Sequence, residues 1–165
     1  MSAIRLGDAK GGIESLRDAL GKLHAIRYEL LSTELTIALA QGLAAVVRFD
    51  EAMTLIDATI QTAEANGELS YMPELFRVKG RLRLAMPQPD PDQAEGCFMQ
   101  SLEISRRQGA RTWELRTAVD LAALLADRGR SDSARALLRP VFEQFAAGSD
   151  TADLRAAERL LASLA

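Results

Sequence analysis

Apolar residues recur along this chain at the three- and four-residue spacing that keeps them on one face of a helix. Near the C-terminus Leu154, Ala157, Leu160, Leu161 and Leu164 form one such stripe, and Leu75, Val78, Leu82 and Ala85 form another upstream. The pattern predicts helices over 9–25, 28–46, 50–66, 71–86, 91–108, 112–127, 131–146 and 151–164. Ser149-Asp150 opens the last of these. Asp90-Pro91-Asp92-Gln93 is a strong start signal, with Asp90 as N-cap, Pro91 at the first helical position and Gln93 closing a capping box. One stretch reads two ways. Phe76 to Leu84 alternates apolar and basic residues, as a half-buried strand does, but the register it shares with neighbouring segments favours helix.

That register is an internal repeat. Gly12-Ile-Glu-Ser-Leu16, Ala52-Met-Thr-Leu-Ile56, Ala94-Glu-Gly-Cys-Phe98 and Ala134-Arg-Ala-Leu-Leu138 align without gaps. Each opens on a small residue and places a large apolar one four positions on. Their starts lie 40, 42 and 40 residues apart. Gly67 and Gly109 follow the second and third starts by fifteen, and Gly148 follows the fourth by fourteen, as helix C-caps would. A second helix precedes each of the last three starts, marked by Ala40, Gly80 and Ala122 among apolar neighbours. Turns follow at Arg48-Phe49-Asp50, Pro87 to Asp90 and Arg128-Gly129-Arg130.

Composition agrees with helices and excludes sheets. The 165 residues include 28 Ala and 25 Leu but only 5 Val and 7 Ile, and aromatics are 5%. Ala and Leu lose little on entering a helix, whereas the residues that favour strands are scarce. The net charge of −3 supplies no basic footprint for nucleic acid. The longest apolar runs, such as Leu121 to Ala126, are far short of a membrane span. A single cysteine, Cys97, and no signal-like N-terminus point to a reducing, cytoplasmic setting.

Ala40, Gly80 and Ala122 on the first helix of each pair, Ala52, Ala94 and Ala134 on the second, and Ile56, Phe98 and Leu138 four residues on resemble the tetratricopeptide (TPR) signature. Antiparallel helices approach closely only where side chains are small, and the bulky residue fills the next layer. The resemblance implies an all-α, right-handed superhelix of antiparallel helix pairs. The 40-residue period exceeds the usual length of about 34 and suits longer helices. Residues 1–165 then form one repeat domain: a partial unit over 9–27, units over 28–67, 71–109 and 111–148, and a closing helix over 150–164. Residues 1–8 are too few to complete the first unit, so the chain reads as a fragment; the alternative is that Met1 is a natural start and the first helix caps the array. The stretch from Ala94 to Arg116, continued by Leu121 to Gly129, Ser133 to Phe145 and Asp150 to Leu154, is similar to the C-terminal region of large bacterial signalling proteins. In that family such a region follows a predicted ATPase module, with a nucleotide cyclase or a transcription-regulator domain at the N-terminus.

No catalytic constellation emerges. Gly7-Asp-Ala-Lys-Gly-Gly12 has the glycines of a phosphate loop without their order, and Gly21-Lys22 is followed by Leu23. One Cys and one His cannot make a zinc site, so no metal or cofactor is expected. His24 reads as a partly exposed helix residue, Cys97 as a packed small hydrophobe, and Trp113 as packing between repeats. Asp90, Asp92 and Glu95 match no calcium loop, and capping explains them better.

On a TPR pattern the first helices of successive pairs line a concave face. The side chains this places in the groove are Glu34, Ile37 and Gln41, then Glu74, Arg77, Arg81 and Leu84, then Arg116, Val119, Ala123 and Asp127. Arg77, Arg81 and Arg116 could form a local basic patch suited to an acidic peptide. Alternatively they are held in ion pairs with Glu74, Glu114 and other carboxylates. The leading expectation is a non-catalytic interaction and regulatory domain attached to other domains of a signalling parent. A stand-alone scaffold that binds peptides is the alternative, and an enzyme with an unrecognised site is the weakest. Exposed end repeats make self-association conceivable without specifying it.

Overall fold

The computed structural model describes residues 9–25, 32–145 and 151–164. Among them are eight α-helices and no strand. They are α1 Ala9–Ala25, α2 Ser32–Ala45, α3 Phe49–Asn66, α4 Met72–Ala85, α5 Pro91–Gln108, α6 Arg111–Asp127, α7 Ser131–Phe142 and α8 Ala152–Ser163, with a 3₁₀ turn at Leu69–Tyr71 before α4. Residues 1–8, the proposed helix start at 28, Gly148 and Ser149-Asp150 lie outside the described residues, as does the side chain of His24.

The local signals act as their chemistry requires. The side chain of Asp90 accepts from the Gln93 backbone N–H at 2.9 Å, with Pro91 opening α5. Gly67 and Gly109 sit at φ 72° and 64°, where a residue without Cβ turns the chain out of the helix. At both, paired backbone bonds close a Schellman motif: Glu68 to Ala63 with Gly67 to Glu64, and Ala110 to Ser105 with Gly109 to Arg106. After α2 the same pair of bonds forms around Val47, at φ 63°. A β-branched residue is strained there.

Several boundaries differ from the sequence pattern: α2 ends at Ala45, α4 starts at Met72 and α6 starts at Arg111, each one residue away, and α3 starts at Phe49, inside the predicted turn. Three others have a local cause. α4 ends at Ala85 because Met86 precedes Pro87 and is pushed into an extended conformation (ψ 156°). α7 stops at Phe142, four residues early, where Gln144 and Phe145 bond three residues back and tighten the chain into a turn. α8 takes its cap from Thr151, whose hydroxyl accepts from the Leu154 N–H at 3.2 Å. The ambiguous stretch Phe76 to Leu84 lies within helix α4.

Each helix packs against the next, and α2, α4, α6 and α8 also pack against one another in succession. Contacts between successive members of the other layer, α1, α3, α5 and α7, fall away. A layer that closes up on one side and opens on the other curves, with α2, α4, α6 and α8 inside. The small residues make the close approaches: Ala40, Ala52, Ala94, Ala122 and Ala134 are fully buried. Ile56, Phe98 and Leu138 are also fully buried in the layers between, each contributing roughly 1.5–3 kcal/mol of burial. One apolar cluster spans α1 to α4 and a second spans α5 to α8. Ile104 of α5 packs on the first and Leu84 of α4 on the second, which joins them. Buried hydroxyls add specific ties. Ser101 donates to the Pro73 carbonyl at 2.6 Å and lies 2.8 Å from the Thr117 hydroxyl.

Candidate functional site

The inner layer holds a polar recess of about 330 Å³, walled by α2, α4, α6 and α8. Arg77 occupies its floor. Its Nε and Nη2 donate to the two carboxylate oxygens of Glu74 at 2.8 and 2.6 Å, and its Nη1 donates to Asp120 of α6 at 2.7 Å. The guanidinium is buried, and burial alone would oppose its charge. The hydrogen bonds and charges of Glu74 and Asp120 outweigh that and hold its pKa above the ordinary arginine value. Arg116 of α6 donates through Nε to Asp153 of α8 at 2.7 Å. Arg81, one turn beyond Arg77, is exposed. Among the described residues it takes no ion pair, so it is the one uncommitted cation of the recess. Gln41 of α2 stands across from it. A neighbouring recess of about 290 Å³ shares Gln41 and Arg81 and is otherwise lined by Ala44, Val78, Leu82 and Ala85. Arg81 therefore stands between a polar pocket and an apolar one.

Six of the eleven residues placed in the groove from sequence meet in this recess: Gln41, Glu74, Arg77, Arg81, Arg116 and Val119. Ile37 does not; it is buried in the first apolar cluster. Leu84 packs half-buried against the second cluster, and Ala123 is also half-buried. Glu34 and Asp127 are exposed, but neither lines the recess. Asp120 and Asp153 were not foreseen, because they join the site across helices far apart in sequence. The basic patch is thereby reduced. Three guanidiniums share the recess with three carboxylates, and two of the three are paired. Glu114 holds Arg106 instead, at 2.8 Å.

Of the remaining candidates Cys97 and Trp113 pack and Asp90 caps α5. Asp92, by contrast, pairs with Arg128 at 2.8 Å and Glu95 pairs with Arg128 and Arg130, so capping does not account for them. Cys97 is buried between α5 and its neighbours. Burial, with Asp57 and Asp90, pushes its thiol pKa up against the opposing pull of Lys79 and Arg83, which disfavours the reactive thiolate. Trp113 packs tilted on Tyr71, ring centroids 5.5 Å apart, and so links the 3₁₀ turn to α6. Among the described residues no group of His, Cys, Asp and Glu is arranged to hold a metal ion, and no helix is long and apolar enough to cross a membrane.

The chain matches no family model and no curated protein. It is similar in structure to a Podosopora anserina chain, a putative kinesin light chain with nearly identical TPR-like repeats. The TM-score is 0.71 at 18% identity, over 98% of this chain and 80% of that one. A single-substitution variant of that protein matches with TM-score 0.72 at 18% identity, over 98% and 79%. At this identity the likeness establishes the fold: an all-α, TPR-like solenoid of antiparallel helix pairs.

Proposed function

We propose that this TPR-like array is a non-catalytic protein-interaction domain, and that its concave recess receives an acidic segment of a partner protein. Arg81 carries the reading. It is a guanidinium free of internal carboxylates among the described residues, beside a glutamine that can donate a further hydrogen bond, with an apolar recess next to it. A carboxylate there gains a forked, charge-assisted contact, and an aliphatic neighbour on the same segment gains burial. The paired Arg77 and Arg116 hold the walls in place. The full-length parent on this reading is a cytoplasmic bacterial signalling protein, in which the array follows an ATPase module and serves a cyclase or transcription-regulator output. The similarity of residues 94–116 and the segments after them supports that assignment.

The test is a titration of the chain with a short peptide combining Glu or Asp with Leu, followed by fluorescence anisotropy. Arg81→Ala should weaken binding by about tenfold, the worth of one charged hydrogen bond, and added salt should weaken the native complex. Unchanged affinity in Arg81→Ala sinks the site. Turnover of a nucleotide by the isolated chain would refute the non-catalytic reading. A reading frame upstream of Met1 that lacks an ATPase module would favour the stand-alone scaffold.

A further inference from the structure

The outer layer carries a second recess. Helices α3 and α5 do not close against each other, and α4 floors the gap between them. The recess measures about 280 Å³, and Met72, Phe76 and Ile104 give it apolar lining. Leu69, at the head of the 3₁₀ turn, also lines it while remaining 51% exposed. That display is held in place from both ends of the turn. Gln108 Nε2 donates to the Leu69 carbonyl at 2.7 Å, tying the turn to the end of α5. Tyr71 packs against Trp113 at the other end. An apolar side chain kept in water over an apolar hollow is a cost that a partner's side chain relieves.

The charges on the rim select the partner. Glu64 comes from α3 and Glu103 from α5, so the two carboxylates flank the hollow from different helices. Both are exposed, and among the described residues neither takes an ion pair. Glu51, Glu74, Glu95 and Glu114, by contrast, each hold an arginine. We propose that this recess docks a partner-protein segment presenting a bulky apolar side chain flanked by Lys or Arg. The apolar side chain covers Phe76, Ile104 and Leu69, and the flanking cations meet Glu64 and Glu103. Arg107, one turn beyond Glu103, repels a cation at that end and so sets the direction in which the segment lies. The preference is opposite in sign to that of the concave recess and does not depend on it.

The experiment is an NMR titration of the full ¹⁵N-labelled chain with three short peptides of equal length: alternating Lys and Leu, alternating Glu and Leu, and oligolysine. The Lys-Leu peptide should shift amides around Leu69, Phe76 and Ile104. Its affinity should fall about tenfold in the Glu64→Lys, Glu103→Lys double variant and also fall in Leu69→Ser. Arg81→Ala should leave it unchanged. Both glutamates are exposed, so the double variant keeps its fold, which circular dichroism verifies. The proposal is overturned if millimolar Lys-Leu peptide shifts nothing there, or if oligolysine binds equally well through general attraction to an acidic protein. Unchanged affinity in the double variant overturns it as well. Loss of acidic-peptide binding in Arg81→Ala, or its absence, bears only on the concave recess.

Discussion

Gly80 shows how a single atom sets the spacing of two helices. A Cβ placed on it would lie 2.6 Å from Cε1 of Phe98. Phe98 is fully buried, so its ring has no free space to retreat into. Elsewhere in a helix, Gly to Ala is worth up to about 1 kcal/mol of stability. Gly96, on α5, tests that baseline, because a Cβ there meets nothing within 4 Å. Gly96→Ala is expected to stabilise by up to about 1 kcal/mol, whereas Gly80→Ala should destabilise by about 1–3 kcal/mol through overpacking. Adding Phe98→Leu should recover part of that loss. Urea unfolding measures all three variants, and a gain in Gly80→Ala would mean that the helix contact does not need glycine. Gly80 was legible in sequence as the small residue at a repeat position. Val47 was not, since nothing in its surroundings marks a left-handed turn.

At the level of helices, α4 is tied to α6 through the Arg77 network. Its side chains are largely withdrawn from water, with 9% exposure for Arg77 and 11% for Glu74 in their pair. Removing one member of such a network strands the others. Arg77→Ala is expected to cost about 3–5 kcal/mol, and the loss should appear in thermal and urea unfolding alike. Arg81→Ala, one turn away and exposed, should change stability by no more than about 0.5 kcal/mol. A small effect at Arg77 would show that the ion pairs are replaceable by water. The contrast also explains why the binding test uses Arg81: a change at Arg77 would confuse binding with folding. The sequence pattern assigned both arginines to the same groove. Helical periodicity reports direction around an axis, and it does not report whether a neighbouring helix brings a carboxylate to meet the charge.

Across the whole molecule, stability is a sum over stacked neighbours. Helices α4, α5 and α6 are packed from both sides, while α1 and α8 have partners on one side only among the described residues. Hydrogen exchange should therefore be slowest in α4 to α6 and faster in α1 and α8. Uniform protection along the chain would show instead that the array opens only as one unit.

The helices, their small-residue contacts and the glycine caps at Gly67 and Gly109 follow from sequence, because each depends on residues within one or two turns of one another. The closing stripe of α8 was legible for the same reason: Leu154, Ala157 and Leu164 are buried as its spacing implied. The charge state of the concave recess was decided only in three dimensions. Asp120 meets Arg77 across 43 residues and Asp153 meets Arg116 across 37. The outer recess likewise exists because curvature parts α3 from α5 over α4. Ion pairing and curvature depend on how helices stack, and stacking brings together groups whose separation along the chain carries no local pattern.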